Sequence, residues 1–134
     1  MRANKKTKSQ RDKYAEYARR KRREDLQFAV KGRLRCRVRG AIRNHTGGKA
    51  VKMSTTMDLV GCSPIKLIAH LESLFTPEMS WEHFKAGEIH IDHIKPCASF
   101  DLTKESEQRK CFNYKNLQPL WAKDNLSKGA KIAA

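Results

Sequence analysis

Five side chains in this sequence have types and spacing suited to chemistry on an anion: Asp92 and His93 side by side, then Asn116, Asn125 and Lys128. A carboxylate and an amide carbonyl, Asp92 and Asn125, are oxygen donors of the kind that hold a hard divalent cation. With one negative charge between them they make a poor cage for structural calcium and leave most of an ion's coordination open. His93 has an ordinary pKa near 6.5, so it is neutral and able to accept a proton at neutral pH. Lys128 follows Asn125 by three residues, which on a helix puts both on one face, within reach of the same anionic oxygens. Each residue also has a plainer reading. Asp92 would be an exposed charge, His93 a histidine at the core's edge, and Asn116 and Asn125 turn and cap residues.

Positioning these groups needs a hairpin-like pair of strands and a helix. The stretch His90–Ile94 is short, apolar and alternating, as a strand requires. Residues 117–121 (Leu-Gln-Pro-Leu-Trp) form a second strand, where Pro119 demands an edge or an irregular strand. A helix over residues 122–128 follows, with Gly129 as its stop. Adjacent residues on a regular strand face opposite ways, so Asp92 and His93 reach one ion only if the strand ends or twists there. Pro96 close behind is consistent with that. By the same alternation His90 shares a face with Asp92 and is a candidate third ligand, a partner of a ligand, a phosphate contact or a structural residue. Between the strands, residues 99–102 read as a connector, and Thr103 as the cap of a helix ending near Phe112. Upstream, Ser63 and Pro64 open an amphipathic helix with Leu67, Ile68, Leu71, Leu74 and Phe75 on one stripe, stopped before Pro77. That stripe is expected to pack on Ile89, Ile91, Leu117, Leu120 and Trp121. His70 on it and His83 beyond it read as structural.

Asp-His at a strand end, then Asn-x8-Asn-x2-Lys running into a helix, with Phe-Asp-Leu after the first strand and Asn-Leu-Gln-Pro-Leu-Trp before the helix, resembles the HNH endonuclease family. The wording is closest to its small phage-associated members. The resemblance covers roughly residues 57–131, residues 31–56 more loosely, and not the first thirty. It implies an α+β, ββα-metal unit that holds one divalent cation, Mg²⁺ or Mn²⁺, against a scissile phosphate. It implies Asp92 and Asn125 as metal ligands, His93 as the general base, Asn116 as the residue orienting its imidazole, and Lys128 as a phosphate partner. The expected activity is metal-dependent hydrolysis of double-stranded DNA. One such centre cuts one strand, so a double-strand break would need a homodimer or another partner, such as a phage packaging component. The competing reading is a basic DNA- or RNA-binding protein that keeps the fold without catalysis.

Charge supports a polyanionic partner. Of the net +15, residues 1–43 carry 17 Lys/Arg against 4 Asp/Glu, and the remainder 12 against 10. A field that lopsided suits nucleic acid. Arg19, Arg20, Lys21, Arg22 and Arg23 form one run, and Arg33, Arg35, Arg37, Arg39 and Arg43 a second; both are expected to track phosphates. Residues 1–12 read as a disordered basic leader and residues 13–31 as a helix with a thin apolar stripe. Residues 33–43 fit a strand at period two and a helix at period 3.6; the family resemblance favours the helix. The expected organisation is a basic, largely helical arm over 1–45, a linker over 46–56 hinged at Gly47-Gly48, and the catalytic domain over 57–134. His45, in that linker region, reads as exposed and idle. No apolar run approaches the ~20 residues that span a bilayer, and the basic start lacks a secretory apolar core, so a cytoplasmic, intracellular location is expected. The cysteines Cys36, Cys62, Cys97 and Cys111 contain no Cys-x-x-Cys pair. That spacing argues against a structural zinc site and for reduced thiols, some buried as small hydrophobes.

Overall fold

Five residues at strict four-residue intervals, Val30, Leu34, Val38, Ile42 and Thr46, are all buried. A repeat of four keeps successive side chains on one face of a helix, and the rest of the chain packs on that face. A computed structural model describes residues 7–128, without the side chains of Arg22, Arg23, Ser127 and Lys128. In order, the elements are α1 (Lys8–Glu24), α2 (Leu26–Thr46), α3 (Thr56–Val60), α4 (Pro64–Ser73), α5 (Trp81–Lys85), β1 (Ile89–His93), α6 (Glu105–Phe112), β2 (Leu117–Trp121) and α7 (Ala122–Lys128). Single 3₁₀ turns lie at Cys97–Ser99 and Tyr114–Asn116. The class is α+β. Among the described residues the sheet is one antiparallel pair, with His90 opposite Leu120, Ile91 opposite Pro119 and Asp92 opposite Gln118. In a pair both strands are edges, which is how Pro119 is tolerated.

The stripe on α2 serves two apolar clusters. Ala29, Val30 and Leu34 pack with Val60, Leu67, Leu71, Phe84, Ile89, Ile91 and Leu117. Val38 and Ile42 pack with Leu59, Leu102, Cys111 and Phe112. The segment 33–43 is therefore helical, and α2 belongs to the core rather than to a detachable arm. Four fully buried Val, Leu and Ile side chains contribute roughly 8 kcal/mol at about 2 kcal/mol each, comparable to the whole stability of a typical domain.

Several boundaries depart from the sequence expectation for local reasons. Residues 8–12 are helical, because Thr7 and Gln10 form a reciprocal capping box at the start of α1. Residues 1–6 of the expected leader lie outside the described residues. The single helix expected over 13–31 breaks at Asp25, whose carboxylate accepts from the Phe28 N–H and caps α2. Helix α2 continues past residue 43 and stops at Gly47, which adopts the left-handed conformation at φ 61°. Thr103 does not cap α6; its hydroxyl donates to Asp101 at 2.5 Å, and α6 begins after Lys104 with no side-chain cap. Leu74 is exposed, because α4 ends at Ser73 and the stripe loses its phase. No helix of the described residues is long and apolar enough to cross a membrane.

Candidate functional site

The strand β1 ends at His93, and that ending solves the alternation problem. A cleft of about 430 Å³ wraps the strand's end and is lined by Asp92, His93, Cys97, Asn125, Arg37 and His45, among others. Asp92 and His93 both reach it, one from within the ladder and one from its last residue. Asp92 and His93 are 6% and 7% exposed, so Asp92 is not the exposed charge of the plainer reading, while the burial of His93 fits a histidine at the core's edge as well as a base lining the cleft. Asp92 accepts a hydrogen bond from Gln118 Nε2 at 3.1 Å, across its own ladder position.

Helix α7 brings Asn125 to the cleft. Its Nδ2 donates to His90 Nδ1 at 2.9 Å, so His90 acts on Asn125. That bond turns the amide oxygen of Asn125 away from His90. Burial, then the nearby Arg37 and Arg33 guanidinium groups, lower the pKa of His90. A neutral ring is what an acceptor at Nδ1 requires. Lys128 lies in the last turn of α7, and its side chain is outside the described residues.

Asn116 ties down the turn that follows β1. Its Oδ1 accepts from the Lys95 N–H at 2.8 Å, and its Nδ2 donates to the Lys95 and Cys111 carbonyls at 3.1 and 2.8 Å. Its backbone carbonyl accepts from the Ile94 N–H at 2.8 Å. The amide is committed to the turn that follows β1 and fixes the backbone carrying His93. The ring itself is flanked by Phe112, edge-on at 5.4 Å between centroids, and by Cys97 Sγ, 3.5 Å from Nδ1. Cys111 donates to Cys97 across 3.4 Å. That donated bond, with His93 beside it, holds the Cys97 thiol down to about 5 against its burial, whereas Cys111 is raised. The ligand atoms of His93, Cys97 and Cys111 all lie within 4.8 Å of one another, a cluster able to hold a metal ion. The absence of Cys-x-x-Cys therefore did not exclude such a cluster: residues fourteen apart meet because α6 folds back beside the turn after β1.

The arginines divide. Arg33 donates to the carbonyls of Phe84 and Lys85 and stacks over the Phe84 ring at 4.1 Å. It joins α2 to the end of α5 and is no longer a phosphate ligand. Arg37 lines the cleft. Arg19, Arg20, Arg35, Arg39 and Arg43 are exposed, and Lys21 is paired with Asp25 at 3.7 Å. The side chains of Arg22 and Arg23 lie outside the described residues. His45, expected to be idle, is exposed but lines the cleft beside Asn44. Its only sequence signal was its place in the last turn of a helix whose end was put three residues too early. His70 bonds the Leu117 carbonyl at 3.0 Å, and His83 pairs with Glu88 at 2.9 Å.

No protein-family model matches the chain, and no solved structure matches it. Two curated proteins of Acanthamoeba polyphaga mimivirus, both uncharacterized, are similar to it. One is 37% identical over 108 residues, covering 81% of this chain and 45% of the relative. The other is 37% identical over 75 residues, covering 55% of this chain and 32% of the relative. The chain thus spans less than half the length of either.

Proposed function

We propose that the protein is a metal-dependent DNA endonuclease of the HNH type, with β1, β2 and α7 as its ββα-metal unit. The observation that carries this reading is the convergence of Asp92, His93 and Asn125 on one cleft beside the basic helix α2. The donor set suits Mg²⁺ or Mn²⁺: one carboxylate, and the oxygen of an amide whose nitrogen His90 holds. When bound, such an ion polarises the phosphodiester and compensates the charge that develops on it. His93 takes the proton from the attacking water. Its Nε2 is enclosed within the protein, so Nδ1, on the Cys97 side, is the nitrogen assigned to that step. Asn116 keeps the imidazole in place by fixing the turn behind it, and Arg37 offers a fork for a phosphate at the cleft. The exposed arginines of α1 and α2 hold the DNA backbone in a salt-dependent manner.

The alternative, a non-catalytic nucleic-acid binder, draws on the same basic surface. Its weakness is that a buried carboxylate, a buried imidazole and a paired amide would be assembled at one cleft without use. The test is supercoiled plasmid with purified protein and Mg²⁺ or Mn²⁺. The expected result is nicked product that disappears with a chelator and in His93→Ala. DNA left intact by the wild type with either ion, across substrates, would refute catalysis and leave binding.

A further inference from the structure

We infer that His93 Nδ1, Cys97 Sγ and Cys111 Sγ form a second metal site, for one thiophilic divalent cation of the zinc class, whose occupancy disables His93. The second clause rests on the nuclease reading; the first does not. The site is separate in chemistry from Asp92 and Asn125, which offer only oxygen.

Geometry carries the argument. Zinc takes sulfur at about 2.3 Å and imidazole nitrogen at about 2.0–2.1 Å in a tetrahedron, so its ligand atoms sit about 3.8 Å apart for two sulfurs and about 3.6 Å for sulfur and nitrogen. Here the two sulfurs are 3.4 Å apart, and the Cys97 sulfur is 3.5 Å from His93 Nδ1. Two edges of the polyhedron are thus present to within a few tenths of an ångström. The third is bounded by the 4.8 Å that encloses all three atoms. A disulfide would instead require the sulfurs to close to about 2.05 Å. Both cysteines bind as thiolates, the Cys111 thiol releasing its proton to solvent, and two thiolates with a neutral imidazole leave the site without net charge. His93 and Cys97 line the cleft, so the fourth position faces it, as in sites with three protein ligands and one open place. The ion would occupy the lone pair that His93 needs as a base. Soft thiolates discriminate against Mg²⁺ and favour zinc-like ions, so the two sites answer to different metals.

The test uses Co²⁺ as a spectroscopic stand-in for zinc, with thiols kept reduced by a phosphine. Wild-type protein should take up one equivalent with a thiolate-to-cobalt charge-transfer band in the near ultraviolet, and Zn²⁺ should abolish that band. Cys97→Ser should lose it, whereas Asp92→Ala and Asn125→Ala should keep it. Cys111 is fully buried, so Cys111→Ala is read only after circular dichroism shows a folded chain; Cys97→Ser carries the test regardless. No band in the wild type, or a band unchanged in Cys97→Ser, would overturn the site. Separately, Zn²⁺ should inhibit Mg²⁺-dependent nicking. Half-inhibition in Cys97→Ser, measured against its own zinc-free rate, should need at least about tenfold more zinc. Equal inhibition of both proteins would overturn the link to His93. Absence of nicking altogether would sink the nuclease reading while the cobalt band still decides the site.

Discussion

Arg33 separates a structural arginine from a DNA-binding one, and its replacement by Ala has a calculable cost. The side chain gives two charge-assisted hydrogen bonds, to the Phe84 and Lys85 carbonyls at the end of α5, and covers the Phe84 ring. Such bonds are worth about 1.5–3 kcal/mol each, and a partly exposed cation on an aromatic face about 0.5–1 kcal/mol. Water can reach the half-buried site and replace part of this, so the net loss is set at about 3 kcal/mol. At this chain length each kcal/mol lowers the melting temperature by about 4 °C, which gives a drop of roughly 12 °C by calorimetry. Arg33→Lys should recover little of it, because an ammonium cannot serve both carbonyls in a fixed fork. The exposed control Arg39→Ala should stay within about 0.5 kcal/mol of wild type. DNA binding should show the reverse. Loss of a phosphate-contacting arginine such as Arg39 reduces the slope of log affinity against log salt by about 0.9, and Arg33→Ala should leave it unchanged below its melting range. If Arg33→Ala melted like Arg39→Ala and lowered the salt slope, its assignment to the core would be wrong.

Gln108 is fully buried and binds the Val51 and Leu102 carbonyls, both at 2.9 Å, and the Met53 N–H at 3.1 Å. Gln108→Met keeps the volume but strands those groups, and should cost roughly 3–5 kcal/mol, read as a lower denaturant midpoint at constant slope. Removing residues 1–24, with 11 Lys/Arg against 3 Asp/Glu, should weaken DNA binding steeply while circular dichroism stays that of a folded protein. Removing residues 1–43 should unfold the chain, because it takes the α2 stripe from both apolar clusters; a folded product would refute the placement of α2. Asn116→Ala loses three side-chain bonds in the turn after β1. It should cost about 2–3 kcal/mol and lower kcat more than it raises KM in the plasmid assay. An unchanged kcat would mean that the turn does not govern His93.

Much of the helical outline could be read locally. Ser63 and Pro64 open α4 as capping chemistry requires, whereas Gly47, expected as part of a linker's hinge, instead closes α2 in the left-handed conformation. What failed locally failed at short elements and at the ends of long helices. The five residues of α5 are too few for periodicity, and their end is completed by Arg33, some fifty positions earlier. The break at Asp25 was masked because its neighbours all favour helix, and only its carboxylate capping Phe28 decides it.

The sequence by itself determined the order of the donor groups, the apolar stripe of α2 as one of two competing periods, and the excess of positive charge near the start. These are properties of residue type and of spacing within a few positions. Tertiary structure alone decided that α2 lies in the core, that Arg33 faces α5 rather than solvent, and that His90 holds Asn125. It also brought Cys97 and Cys111 together beside His93. Those outcomes depend on which faces of distant elements pack together, and the face a helix buries is chosen by the fit of all its neighbours at once.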